Sequence, residues 1–167
     1  MEQVVQHQFT KQFINGEWKD GSSTKSITSY NPYTGEELVT IQAANEQDLN
    51  DAYDAAARAQ KIWEATPLVE KQQRFEQLVI VLEQKREHII NWLVNEAGGT
   101  KLKATSEFNS AVRMVKESAS FLTRLTGQIL PSYVPNKENR VYRGPKGVIG
   151  VIGPWNFPFL LSMRSIA

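Results

Sequence analysis

Gly144-Pro145-Lys146-Gly147-Val148-Ile149-Gly150-Val151-Ile152-Gly153-Pro154-Trp155-Asn156-Phe157-Pro158 is the stretch whose reading decides the fold. It opens with a turn, continues as an apolar run bounded by glycines, and closes with a proline-bracketed aromatic loop. A continuous apolar run, in place of alternation, predicts a strand covered on both faces, as in a parallel sheet with helices on either side. Pro158 is placed to start a helix with Phe159, Leu160, Leu161 and Met163, since a missing N–H costs nothing at the first helical position. A parallel strand also needs a partner reached through a crossover, and the chain is too short to supply one. By this reading the 167 residues are the opening portion of a larger α/β protein.

Upstream, Phe13-Ile14-Asn15-Gly16-Glu17-Trp18 sets Asn-Gly between apolar and aromatic neighbours, the strongest short-range sign of a two-residue hairpin. Asp20-Gly21 and Asn31-Pro32-Tyr33-Thr34-Gly35 supply two more turns, and residues 37–42 alternate as a half-buried strand should. Residues 12–42 are therefore expected to be strand and turn. Asn45 then reads as an N-cap, with Glu46 and Asp48 in a first turn where the helix dipole favours negative charge. Leu49, Ala52, Tyr53, Ala56, Ala59 and Trp63 recur at helical spacing. A second helix, starting at Pro67, carries Phe75, Leu78, Val79, Leu82, Ile89 and Leu93 on one face and runs roughly 45 Å to Gly98-Gly99. A third carries Phe108, Ala111, Val112, Val115, Ala119 and Leu122 and is expected to stop at Gly127. Beyond Gln128, Pro131 and Pro135 discourage helix, and Val141 to Arg143 reads as a strand.

Composition excludes whole classes of function. Nineteen Lys plus Arg against eighteen Asp plus Glu leave a net charge of +1, which is not the footprint of a nucleic-acid or anionic-membrane binder. The absence of cysteine removes disulfides, thiolate zinc sites, iron–sulfur clusters and thiol nucleophiles. His7 and His88 have no second imidazole near them in sequence, so no metal site is expected and both read as solvated residues. Residues 1–11 lack the apolar run of a signal peptide, and the longest uncharged stretch, 147–163, is broken by Pro154, Asn156 and Pro158. A soluble, cytoplasmic protein is expected.

Gly147, Gly150 and Gly153 do not match the G-x-G-x-x-G spacing and fall within the expected strand, where glycine lets another backbone approach closely. Asn156 has two readings. At the carboxyl end of a buried strand, held between prolines, its amide is preorganised as an oxyanion donor. Alternatively it closes an Asx-type turn and merely satisfies the local backbone.

Residues 13–167 resemble the N-terminal third of the aldehyde dehydrogenase superfamily. The similarity is carried by FINGEW, NPYTGE, NEAGGTKLKATSEF and above all GPKGVIGVIGPWNFPFLLSMRSIA, and is closest to the branch acting on aromatic aldehydes such as benzaldehyde or vanillin. The resemblance implies an oligomeric NAD- or NADP-dependent enzyme that oxidises aldehydes to carboxylic acids. Residues 1–126 and 147–167 would form part of its Rossmann-like cofactor domain, and 127–146 its oligomerisation arm, with the catalytic domain absent. Asn156 matches the asparagine that stabilises the thiohemiacetal oxyanion. Ile152, Pro154 and Trp155 match contacts along the cofactor, to which Asn156 also belongs, and Phe157 with Leu161 matches the wall of the aldehyde tunnel. Arg164 falls near that tunnel and reads either as a substrate contact or as a surface or inter-helix salt link.

The departure from the family is chemical. Its reaction begins with a cysteine thiolate, and this sequence has none. An oxyanion donor is worth about 10² to 10³ in rate, against about 10⁶ for a lost nucleophile. Ser162 and Ser165 have no histidine close in sequence to activate them. The chain alone is therefore expected to be a catalytically incompetent, truncated form with weak or no cofactor binding. It would associate as a homo-oligomer or with aldehyde dehydrogenase subunits. The alternative is a non-catalytic interaction module that pairs through the arm.

Overall fold

The computed structural model describes residues 10–167, so His7 lies outside the described residues. The chain opens with two antiparallel hairpins. Strand β1 (Gln12–Ile14) pairs with β2 (Glu17–Lys19), and β3 (Ser26–Tyr30) with β4 (Glu37–Gln42). Asn15 and Gly16 both take positive φ, 54° and 85°, as the Asn-Gly pair foretells. Phe13 lies opposite Trp18 with ring centroids 5.0 Å apart.

Helix α1 (Glu46–Ala65) begins with a capping box. Asn45 Oδ1 accepts from Asp48 N–H at 2.9 Å, and Asp48 Oδ2 accepts from Asn45 N–H at 3.1 Å. Asp48 is buried and also accepts from Ser22 N–H at 2.7 Å and Ser22 Oγ at 2.9 Å, tying the helix start to the loop before β3. The rest of α1 departs from expectation. Ala55 joins Asp48 as buried, but Leu49, Tyr53 and Trp63 are exposed, because among the described residues little packs along its apolar stripe beyond β1 and residues 147–150.

The expected second helix is two helices, α2 (Leu68–Gln84) and α3 (Arg86–Ala97), separated at Lys85 with φ −97° and ψ 7°. The break falls in the polar run Glu83 to His88, where the apolar stripe has a gap. Bending there lets Leu82 of α2 and Ile90 and Leu93 of α3 reach one core, which a straight rod would spread along its length. Gly98 ends α3 at φ 65°, the left-handed cap that glycine adopts without strain.

Helix α4 (Lys101–Phe121) supplies the centre of that core with Ala104, Phe108, Val112 and Val115. It stops before Gly127. Ser120 Oγ donates to Glu117 O at 2.6 Å and Thr123 Oγ1 to Ser120 O at 3.2 Å, so hydroxyls compete for the last-turn carbonyls. A third hairpin follows, β5 (Gln128–Pro131) with β6 (Glu138–Val141), exposed throughout; β6 precedes the expected strand and shares only Val141 with it.

The buried parallel strand does not form. Residues 142–157 contain no strand, and Ile149 and Ile152 are 64% and 96% exposed. A run of this composition becomes a strand only when neighbours accept its backbone hydrogen bonds, and no parallel neighbour exists among the described residues. Helix α5 (Pro158–Ile166) does form, with proline at its first position as expected. Among the described residues no helix is long and apolar enough to cross a membrane.

The amides of Ser22 and Asn45 hold the Asp48 carboxyl well below the usual carboxylate range. Its native pKa is lower than its unfolded one, so the contact stabilises fully above about pH 4 and is lost as pH falls through the native value. The gap in thermal stability between wild type and Asp48→Asn should be constant from about pH 5 to 8 and narrow steadily below about pH 4. A gap that closes above pH 6 contradicts this assignment.

Candidate functional site

The 153–158 loop is positioned by what lies beneath α5. Phe157 precedes that helix without a capping side chain, which leaves its first N–H groups to find other acceptors. Glu107 of α4 provides one: its Oε1 accepts from Phe159 N–H at 2.9 Å and Leu160 N–H at 3.3 Å. Its other oxygen, Oε2, receives Lys103 Nζ at 3.1 Å, and the Glu107 side chain is fully buried. The Lys103 ammonium also lies 4.4 Å from the centroid of the Phe157 ring. Beneath them the Phe159 and Phe108 rings stack at 6.0 Å, nearly parallel, and the Arg86 guanidinium covers Phe108.

At the loop's other end a Cβ on Gly153 would collide with Ser162 Oγ, and one on Gly150 with the Tyr53 hydroxyl. These glycines thus admit side chains closely; with no strand present, the expected approach of a second backbone strand is not what they serve.

Asn156 is exposed. Its Oδ1 accepts from Phe157 N–H at 3.1 Å, and among the described residues no hydrogen bond engages its Nδ2. The carbonyl half of the amide thus serves the local backbone, and the donor half has no partner among the described residues. Ile152 and Trp155 are 96% and 86% exposed, with Pro154 exposed between them. Phe157 and Leu161 sit one helical turn apart, Leu161 N–H donating to Phe157 O at 3.0 Å. Arg164 is exposed on the last turn of α5. His88 is half-buried, not solvated, and lines an apolar groove of about 620 Å³ between the second hairpin, α3 and α5.

The side chains that hold the loop, Glu107 and Lys103, are absent from the residues read as functional in the sequence. One signal was available. Glu107 falls on the stripe Ala104, Phe108, Ala111, Val115, where the helical period puts core residues, and a carboxylate there requires partners.

Residues 18–167 match the model of the aldehyde dehydrogenase family. The chain belongs to this family. It is 46% identical over 160 residues to a benzaldehyde dehydrogenase of Bacillus subtilis, covering 96% of this chain and 33% of that protein. A vanillin dehydrogenase of Corynebacterium glutamicum is also 46% identical, over 158 residues, covering 95% of this chain and 33% of that protein. The crystal structure of an NAD-dependent benzaldehyde dehydrogenase from Corynebacterium glutamicum superposes with a TM-score of 0.91 at 46% identity, covering 94% of this chain and 35% of that one. The α/β architecture is therefore that of the N-terminal part of aldehyde dehydrogenases, and the chain spans about a third of the length of these relatives.

Such a loop should be open to solutes. Replacing Trp155 by Phe is expected to remove more iodide-quenchable fluorescence than replacing Trp18 or Trp63, which are 49% and 44% exposed. Equal losses from the three variants would show that the loop is covered.

Proposed function

We propose that these residues contribute the carbonyl-polarising part of an NAD- or NADP-dependent aldehyde dehydrogenase acting on aromatic aldehydes, and that the 167-residue chain does not turn over by itself. The observation that supports this is the Asn156 amide, whose oxygen is occupied by Phe157 N–H while its Nδ2 has no partner among the described residues. When a nucleophile adds to an aldehyde, negative charge grows on the carbonyl oxygen. An N–H held in place beforehand stabilises that charge without reorganising at the moment of reaction.

Phe157 and Leu161 would flank the aldehyde, and their ring and branched chain suit an aromatic substrate. Ile152, Pro154 and Trp155 would hold one apolar side of the nicotinamide nucleotide. Their exposure fits one wall of such a site, and the spacing of Gly147, Gly150 and Gly153 fits no phosphate cradle. When bound, that nucleotide supplies the hydride acceptor. A single open wall predicts millimolar or weaker affinity in the isolated chain. In the reaction of the family the carbonyl carbon is attacked by a cysteine thiolate, and these residues include no cysteine.

The exposed β5–β6 hairpin favours a second reading, a module that pairs edge to edge with aldehyde dehydrogenase subunits through residues 127–146. Co-expression with a full-length relative, read by native mass spectrometry, tests it: mixed oligomers support the reading and homo-species alone contradict it.

For the principal reading, the purified chain should form no NADH or NADPH from benzaldehyde above background. Turnover that survives removal of contaminating enzymes would contradict it.

A further inference from the structure

We infer that Glu107 is a positioning residue for the Asn156 amide. This inference rests on the reading of Asn156 as the carbonyl donor, but its test does not. The Glu107 side chain is fully buried and occupies a position that the helical period assigns to the core. A buried ion pair is weak ground for stability, because desolvation offsets its attraction. What the pair does provide is direction.

One carboxylate oxygen takes the two free N–H groups at the start of α5, and the other takes the Lys103 ammonium, which rests against the Phe157 ring. Both branches of the contact therefore end within four residues after Asn156, one of them on its immediate neighbour Phe157. Phe157 N–H in turn donates to Asn156 Oδ1. Because a side-chain amide is planar, fixing Oδ1 fixes the direction in which Nδ2 points. An apolar residue at 107 would fill the same space yet leave the Phe159 and Leu160 amides without an acceptor. Glutamine would keep the acceptor and lose the charge.

Residue-resolved hydrogen exchange on the 167-residue chain tests this, with Ile90 and Leu93 in the core as internal references. Glu107→Ala should speed exchange at Phe159 and Leu160 by about 10- to 100-fold, as expected for losing a charged acceptor. It should also speed Phe157, to which Glu107 makes no hydrogen bond, while Ile90 and Leu93 hold their rates. Glu107→Gln should recover most of the protection at Phe159 and Leu160. Unchanged exchange at Phe157 in Glu107→Ala, or a Gln variant no slower than the Ala variant, would overturn the inference.

If Glu107→Ala loosens the whole chain, Lys103→Met decides. It should speed Phe157 while Ile90 and Leu93 stay protected, and an unaltered Phe157 would overturn the inference. Exchange is read without turnover, so a failed clamp shows here, whereas a failed donor role for Asn156 shows only in the kinetics of a complete enzyme.

Discussion

A carboxylate removed from water must be compensated where it stands, and in this molecule the place is Glu107. Its partners are two backbone amides of α5 and the Lys103 ammonium. That requirement joins the centre of the helical core to the start of the helix that carries the site. Helix α5 has no capping side chain of its own, so its orientation depends on an acceptor 52 positions earlier in the chain. The stacked Phe108 and Phe159 rings give the same junction apolar area, and Phe108 is also the residue around which the bend at Lys85 gathers α2 and α3.

Much of this was legible where a local rule acts alone. Asn15-Gly16 fixes a turn through positive φ, Asn45 caps α1 through its own side chain, Gly98 ends α3 in the left-handed region, and Pro158 opens α5. Each effect is settled within a few residues. Readings failed where the outcome depends on a partner far along the chain. The run 148–152 has the composition of a covered strand but no strand beside it. The stripe on α1 has helical spacing but little to pack against, so Tyr53 and Trp63 stay exposed. The bend at Lys85 carries no proline or glycine to announce it; it follows from where Ile90 and Leu93 have to go.

The same division holds in the site. Asn156 stood out as a candidate because two prolines bracket it and because the surrounding motif resembles a known family. Glu107 was not, since a charged residue in a helix ordinarily lies on the solvated face and only its phase relative to Ala104 and Phe108 marks it otherwise. Ile152 and Trp155 stand open to solvent, and the chain spans about a third of the length of the relatives it matches. The sequence itself contains no cysteine.

Scalar coupling through hydrogen bonds gives the most direct measurement of the junction. In isotopically labelled protein, the backbone nitrogens of Phe159 and Leu160 should each correlate with the side-chain carboxyl carbon of Glu107. Correlation of those nitrogens with a different acceptor carbon, with Glu107 coupled to neither, would contradict the account at its base.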